Sequence, residues 1–294
     1  MKSYVFPGQG SQQPGMGKIL YDNFSSAKDI FLLADKVLGF PISEIMFFGT
    51  EEELKQTKYT QLAMFLHGYI SYKCLERNNP DMVAGHSLGE YTALVAANCL
   101  SFEEALLLVE KRAVAMQKAC DKQKSGMAAV LKFDVEKIKA ICDSIKDEIV
   151  VPANYNSHQQ VVISGSLKGL EIAYKKLAEE GAKRVLPLKV GGAFHSPLMQ
   201  SAQDELAESI NKCHIKNPIC PIYQNVTALP TTDPEEIRQN LILQLTYPVR
   251  WTEIIENMIS NGADCFREFG PSVLNSLIKR INPEVVTENY GNEM

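Results

Sequence analysis

A chain of 294 residues with 45% hydrophobic and 22% charged residues is typical of a globular protein of one or two domains. Its formal net charge of −5 argues against general nucleic-acid binding, which requires a basic surface. No apolar run approaches the roughly 18 residues that a membrane span requires, so we expect no membrane partner.

The seven cysteines are scattered and form no Cys-x-x-Cys pair, which argues against a metal or redox site. The first residues enter a predicted strand and lack the apolar stretch of a signal peptide. Because an odd number of cysteines then fits reduced thiols, we expect a cytoplasmic protein.

The first part of the chain alternates short apolar segments with amphipathic ones, which is typical of an α/β fold. Hydrophobic spacing predicts helices over residues 24–38 and 60–75, a strand over 82–84 and a helix over 90–97. Ser101 and the acidic residues after it indicate the start of a further helix that runs through Met116.

Residues 125–191 have an order of elements of their own. The pattern predicts strands over 127–133, 150–155, 160–164 and 184–190, with helices over 134–145 and 167–180. This βαββαβ order is the ferredoxin-like arrangement. We therefore predict a ferredoxin-like subdomain at 125–191, inserted into a larger α/β core made of residues 1–124 and 192–294.

The rest of the chain returns to α/β alternation. Helices are predicted over 197–213, 234–245, 251–261 and 273–281, and strands over 222–225 and 264–269. The α/β core is therefore expected to continue after the insertion.

The segment Gly85-His86-Ser87-Leu88-Gly89 has the Gly-x-Ser-x-Gly form of a nucleophile elbow. A predicted strand precedes it and a predicted helix follows it, which is the context that the motif requires. The glycines leave room for a strained turn that exposes the serine hydroxyl, and the next N–H lies at a helix N-terminus, where negative charge is favoured. The alternative is an ordinary serine at a helix start.

A serine nucleophile needs a base, most often a histidine, and the chain has five. His195 lies directly before a predicted helix, and the glycines and proline around it indicate a backbone of special shape. A buried histidine with a packing role is the alternative, and that role is predicted for His67. The acids between Ser87 and His195 lie mostly on predicted solvent-facing helix surfaces, so we expect a neutral acceptor such as a backbone carbonyl to orient the imidazole.

Two further features could contribute to such a site. The glycine-rich segment 6–12 follows the first predicted strand and could supply a second N–H donor for an oxyanion. Arg112 lies beside an apolar helical stripe, and spacing alone favours a surface arginine whose stem packs on that stripe. If it faced Ser87 instead, it could bind a carboxylate through two hydrogen bonds.

Five features in this order resemble the malonyl-CoA:acyl carrier protein transacylase family of bacterial fatty-acid synthesis. They are residues 6–12 (FPGQGSQ), 85–91 (GHSLGEY), Arg112, 192–196 (GAFHS) and 244–251 (QLTYPVRW). The resemblance covers essentially the whole chain and implies an α/β-hydrolase-like core with a ferredoxin-like insert.

The resemblance also implies a role for individual residues. These are a nucleophile and its base (Ser87 and His195), two backbone N–H donors of an oxyanion hole (Gln9 and Leu88), a partner for the malonyl carboxylate (Arg112), a backbone carbonyl that orients the histidine (Gln244) and a selector of the acyl group (Phe194). A bulky ring at Phe194 should crowd an α-methyl branch and favour malonyl over methylmalonyl.

The implied activity is ping-pong transfer of a malonyl group from malonyl-CoA to the phosphopantetheine thiol of acyl carrier protein, through a malonyl-serine. Coenzyme A is then part of a substrate, and we expect a monomer with no cofactor and no metal. Lys183, Arg184 and Lys189 are candidates for docking the acidic carrier, or else a solvated face. The alternatives are a discrete acyltransferase of a polyketide synthase, a serine esterase or thioesterase, and a non-catalytic module that binds a carrier protein.

Overall fold

The computed structural model describes residues 1–75 and 79–291 of the chain. The strands in these residues are β1 (Lys2–Phe6), β2 (Met82–Gly85), β3 (Ser125–Leu131), β4 (Val150–Ser157), β5 (Gln160–Ser166), β6 (Val185–Pro187), β7 (Ile222–Tyr223), β8 (Pro230–Thr231), β9 (Cys265–Phe269) and β10 (Val286–Tyr290). The helices are α1 (Lys18–Asn23), α2 (Ser25–Leu38), α3 (Ile42–Phe48), α4 (Glu51–Leu54), α5 (Thr57–Leu75), α6 (Gly89–Ala96), α7 (Phe102–Lys122), α8 (Val135–Asp143), α9 (Leu167–Glu179), α10 (Gln200–Ile210), α11 (Pro234–Leu243), α12 (Trp251–Ser260) and α13 (Leu274–Ile281).

A six-stranded sheet in the order β10-β9-β1-β2-β7-β8 forms the centre of the larger layer, and all its neighbours are parallel except β7 and β8. Its central strands are apolar on both faces because helices cover both sides, so Tyr4, Val5 and Phe6 are all fully buried. Every residue of α6 is buried as well, which explains why its sequence is apolar except at Glu90 and Thr92.

The strand order places three loops at one edge of this sheet. β1 pairs with β2 in register Phe6 to Gly85, and β2 pairs on its other side with β7 in register Ala84 to Tyr223. Because the carboxyl ends of parallel strands meet at the same edge, the segments that follow β1, β2 and β7 lie side by side.

A second, four-stranded antiparallel sheet has the order β4-β5-β3-β6. Successive residues of β3 point to opposite faces of this sheet. Ala128 and Val130 pack in a separate hydrophobic cluster with α8 and α9, whereas Met127 and Ala129 join the main hydrophobic core. The small sheet therefore has one face on its own two helices and the other toward the larger layer.

β4 connects the two layers directly. The Tyr155 N–H donates to the Val249 carbonyl and the Val249 N–H donates to the Ala153 carbonyl, each at 2.9 Å. Thr252 on α12 donates its hydroxyl to the Tyr155 carbonyl at 3.0 Å. These contacts fix the inner face of the small sheet over the edge where the three loops lie.

Most elements predicted from the sequence are confirmed, with ends that differ by a few residues. The strand predicted over 184–190 was too long, since β6 ends at Pro187, which has no N–H to continue the ladder. The helix predicted over 197–213 is a short 3₁₀ turn followed by α10, which ends at Ile210. Five elements were not predicted from the sequence: α1, α3, α4, β8 and β10. None of the described helices has the length and apolar character needed to cross a membrane.

Candidate active site

A cavity of about 350 Å³ lies between the loop edge of the six-stranded sheet, the inner face of the small sheet and α13. Gly8, Gln9, His86 and Ser87 line it from the loop edge, Met127, Asn154 and Val162 from the small sheet, and Leu274, Leu277 and Arg280 from α13. Phe194 and His195 also line the cavity. One continuous space thus contains Ser87, His195, Gln9 and Phe194, which the sequence analysis selected.

The turn at Ser87 has the backbone strain expected of an elbow. Ser87 has a φ of +53°, in the left-handed region, which costs a non-glycine residue about 1 kcal/mol or more. The flanking glycines are required by close packing, because a Cβ on Gly89 would lie 2.0 Å from the Phe6 carbonyl oxygen. A Cβ on Gly8 would lie 2.6 Å from the His86 carbonyl oxygen, so the loop after β1 packs directly on the elbow.

Ser87 and His195 are joined by a hydrogen bond of 2.8 Å between Oγ and Nε2. The other ring nitrogen of His195, Nδ1, lies 2.9 Å from the Gln244 carbonyl oxygen and 3.1 Å from that of Tyr247. Since a carbonyl can only accept, Nδ1 carries the proton and the Nε2 lone pair faces the serine hydroxyl.

The His195 ring is only 3% exposed. Burial, together with the positive charge of Arg112, lowers the pKa of His195 to about 3. The imidazole is therefore neutral near pH 7 and is able to accept the serine proton.

Arg112 reaches the nucleophile from α7 and is 1% exposed. Its Nη2 donates to Ser87 Oγ and to Gln244 Oε1, each at 3.1 Å, and its Nη1 donates to Gln61 Oε1 at 2.7 Å. Its Nε has no acceptor among the described residues. The surface position that spacing alone favoured for Arg112 is therefore wrong, because helices and the elbow enclose the side chain on every side.

The backbone N–H groups of the elbow and of the loop after β1 differ in whether they have an acceptor. The Ser87 N–H donates to Asn225 Oδ1 at 2.7 Å and the Gly89 N–H to the His86 carbonyl at 3.0 Å. The N–H groups of Leu88, just before α6, and of Gln9, just after β1, have no protein acceptor in the described part of the chain.

Gln244 is fully buried at the end of α11 and contacts three of the predicted site residues. Besides accepting from His195 through its carbonyl and from Arg112 through Oε1, it donates Nε2 to the Ser87 carbonyl at 3.0 Å. Its side chain as well as its backbone therefore belongs to the site. Phe194, 4% exposed, precedes the histidine.

Two buried polar residues that contact the elbow, Asn225 and Glu90, were not predicted from the sequence. Glu90 is fully buried in α6, and its carboxylate accepts from the Asn225 N–H at 2.8 Å and from Gln224 Nε2 at 3.1 Å. Burial raises the pKa of Glu90 to about 7 against the opposing effect of these hydrogen bonds. The sequence did contain a signal for Glu90, since it is an acid within a predicted helix that is otherwise mostly apolar.

The remaining predicted features lie away from the reacting pair or have other partners. His67 is buried within α5, as predicted, and burial lowers its pKa to about 4. His86 lines the cavity, where its Nε2 lies 2.8 Å from Asn156 Oδ1. Lys183, Arg184 and Lys189 are exposed around β6.

Comparison with known proteins decides the family. The acyl transferase domain profile matches residues 3–280, nearly the whole chain. The chain belongs to the acyl transferase family.

Similar proteins within this family share one name. The chain is 42% identical over 290 residues to the malonyl CoA-acyl carrier protein transacylase of Bacillus subtilis, covering 97% of this chain and 92% of that protein. The structure of the enzyme of the same name from Coxiella burnetii matches with a TM-score of 0.95 and 38% identity, covering 99% of this chain and 93% of the other. A malonyl-transacylase in complex with a type II PKS acyl-carrier protein matches with a TM-score of 0.95 and 36% identity, covering 99% and 96% of the two chains.

Proposed function

We propose that this acyl transferase moves a malonyl group from malonyl-CoA to the phosphopantetheine thiol of an acyl carrier protein. The observation that carries the proposal is the buried Arg112 guanidinium, whose Nη2 lies 3.1 Å from Ser87 Oγ. An acyl group attached to Ser87 would lie beside a fixed positive charge, which suits an acyl group that ends in a carboxylate. The names of the relatives support the same substrate and carrier.

In the first half of the reaction, Ser87 Oγ attacks the thioester carbonyl carbon of malonyl-CoA while His195 Nε2 takes the serine proton. The oxyanion that forms would be held by the N–H groups of Gln9 and Leu88, each contributing roughly 3 kcal/mol if they act like other oxyanion donors. The carbon–sulfur bond then breaks, and His195 returns the proton to the departing coenzyme A sulfur. A malonyl-serine ester remains on the enzyme.

In the second half, the carrier thiol gives its proton to His195 and attacks the ester carbonyl. The ester carbon–oxygen bond breaks, His195 protonates Ser87 Oγ, and malonyl-carrier protein leaves. The Gln244 carbonyl keeps the proton of His195 on Nδ1 throughout, because it accepts a hydrogen bond from that N–H. The chemistry needs no metal and no cofactor beyond the coenzyme A of the substrate.

Acyl selectivity would come from Arg112 and Phe194. A buried guanidinium without a carboxylate partner is costly, so an acetyl group would be a poor substrate. The Phe194 ring lines the cavity beside His195, where it would crowd an α-methyl branch.

We further propose the architecture that goes with this function. Residues 1–124 and 192–294 would form an α/β-hydrolase-like core, supported by the parallel sheet and its elbow at the end of β2. Residues 125–191 would form a ferredoxin-like subdomain, supported by the β4-β5-β3-β6 order of its antiparallel sheet. We also propose that the protein is a cytoplasmic monomer. Its carrier protein would dock near Lys183, Arg184 and Lys189.

The direct test is the covalent intermediate. Wild-type protein incubated with malonyl-CoA should gain one malonyl group in its intact mass, and Ser87→Ala should gain none. Ser276→Ala is the matched control, because this serine also lines the cavity and its hydroxyl donates to the Val273 backbone carbonyl at 2.9 Å. The control should acquire the adduct as wild type does.

Addition of acyl carrier protein separates transfer from hydrolysis. The mass of the carrier should rise by one malonyl group as the enzyme adduct disappears. An adduct that persists on Ser87→Ala would contradict the nucleophile assignment. Rapid loss of the wild-type adduct in buffer, with no malonyl-carrier formed, would instead indicate the serine esterase alternative.

A further inference from the structure

The strained elbow needs partners for its backbone polar groups, and one side chain supplies two of them. Asn225 Oδ1 accepts from the Ser87 N–H at 2.7 Å, and Asn225 Nδ2 donates to the Gly85 carbonyl at 2.6 Å. The two bonds span the turn from the last residue of β2 to the nucleophile. The amide therefore replaces, at the end of the strand, the ladder bonds that a neighbouring strand would otherwise supply.

Asn225 is itself held in place from behind. It follows β7, the parallel neighbour of β2, and is 1% exposed. Its N–H donates to Glu90 Oε2 at 2.8 Å, and its carbonyl accepts from the Arg250 N–H at 3.2 Å. Glu90 lies on α6, directly after the elbow, so the chain on both sides of Ser87 is tied to this one residue.

Asn225 does not touch the substrate space. It is not among the described residues that line the cavity, and both polar atoms of its side chain bond backbone groups of the elbow. Because Asn225 engages the Ser87 N–H, the Leu88 N–H is the elbow donor without an acceptor among the described residues. Its effect on the reaction must therefore act through the position of Ser87.

We propose that Asn225 is a positioning residue for the nucleophile, which holds Ser87 in its left-handed backbone conformation through the paired bonds to Gly85 and Ser87, with Glu90 as its support. This inference rests on the proposed acyl transfer through Ser87. A small displacement of a reacting atom is enough to reduce a rate by orders of magnitude, so a loosened turn should lower the rate of acylation without weakening substrate binding.

The experiment is single-turnover malonylation of Ser87, followed by intact mass at a series of malonyl-CoA concentrations. Asn225→Ala should lower the maximal acylation rate by about 10- to 100-fold, while the concentration for half-maximal rate stays within about threefold of wild type. The matched control is Asn257→Ala, because Asn257 Nδ2 donates to the Ala228 carbonyl of the same loop at 2.9 Å but makes no bond to the elbow. This control should acylate at a rate close to that of wild type.

Asn225→Asp provides a readout that loosened packing would not give. An ionised carboxylate keeps the acceptor for the Ser87 N–H but loses the donor to Gly85, whereas a protonated carboxyl supplies both. Burial and the adjacent Glu90 should raise the pKa of the introduced carboxyl into the measurable range. The ratio of variant to wild-type acylation rate should therefore rise as the pH falls from 8 to 6, and the ratio for Asn225→Ala should stay flat.

The outcomes separate the two proposals. If wild type forms no malonyl adduct, the proposed function fails. If wild type forms it and folded Asn225→Ala acylates at the same rate, or at a rate reduced only as much as in Asn257→Ala, the positioning role is overturned. If Asn225→Ala does not fold, Asn225→Asp decides alone, and a ratio that does not change with pH contradicts the proposal.

Discussion

Arg112 is a cation enclosed by protein, and its surroundings show how a single residue can select an acyl group. The guanidinium is held by Gln61 and Gln244 through neutral oxygens, and within residues 1–75 and 79–291 no carboxylate contacts it directly. Its Nε lacks an acceptor among the described residues. A buried charge with only neutral partners gains most from a ligand that brings the opposite charge.

At the residue scale we expect Arg112→Ala to lower malonyl transfer by two orders of magnitude or more, since a charge-assisted bidentate contact contributes about 3 kcal/mol. Acetyl transfer should fall much less, so the ratio of acetyl to malonyl transfer rises. The measurement is competition between acetyl-CoA and malonyl-CoA with the carrier protein as acceptor. Lys111→Ala, the adjacent exposed position on α7, is the control and should keep the wild-type ratio. An unchanged ratio in Arg112→Ala would remove Arg112 from carboxylate recognition.

At the scale of elements, the site depends on how closely β1, β2 and α6 approach one another. The His86 N–H donates to the Phe6 carbonyl at 3.0 Å, which carries the pairing of β1 and β2 into the elbow. Gly89, the first residue of α6, packs against the same Phe6 carbonyl, and there is no room for a side chain at this position. The second glycine of the motif is thus a packing requirement that brings the helix N-terminus to Ser87.

Gly89→Ala tests this requirement. The added methyl would overlap the Phe6 carbonyl oxygen, so we expect the free energy of unfolding to fall by about 2 kcal/mol or more, and acylation of Ser87 to fall with it. Gly126→Ala in β3 is the control, because the nearest atom to its added Cβ, Leu170 Cδ1, lies 3.6 Å away. Urea unfolding curves measure both variants. Equal destabilisation by the two substitutions would show that close packing at Gly89 is not limiting.

At the scale of the whole molecule, buried titratable groups link stability to pH in opposing directions. Burial lowers the pKa values of His67, His86 and His195, so the fold disfavours the protonated form of each. Burial raises the pKa values of Glu90 and Glu268 to about 7, so ionising them costs stability as the pH rises toward 7. As the pH falls below 6.5, the histidines bind protons in the unfolded chain before they do so in the fold. The free energy of unfolding therefore decreases over this range.

His67 allows one of these contributions to be isolated, because it lies in α5 and not among the residues described around the cavity. Its pKa is about 4 in the fold and about 6.5 in the unfolded chain, so stability is lost between pH 6.5 and 4. In His67→Leu this loss should be smaller by about 1 kcal/mol per pH unit between pH 6 and 5. Urea unfolding at pH 5, 6, 7 and 8 measures it. The difference in free energy of unfolding between variant and wild type should be nearly constant from pH 7 to 8. If that difference stayed constant down to pH 5, the prediction would be contradicted.

The sequence by itself determined most of the longer elements and the order in which they occur. Helix caps are local, and Ser101 and Asp134 accept from the N–H groups of Glu104 and Lys137 as their positions indicate. Hydrophobic period is also local, so the strand, turn and helix around Ser87 could be predicted. The prediction was weakest where that signal vanishes, as in the half-buried edge strand β10.

Only the tertiary structure decided which polar groups meet. Ser87 bonds His195, Asn225 and Gln244 across 108, 138 and 157 residues of chain. The local sequence selected His195 as a candidate base, and the resemblance to a family supplied Gln244 and the role of Arg112. The spacing of Arg112 favoured the surface, however, and nothing local selected Asn225. The physical reason is that burial and hydrogen-bond partners depend on which strands pair. The β1-β2-β7 order brings those loops to one edge, and no local pattern of residues encodes that order.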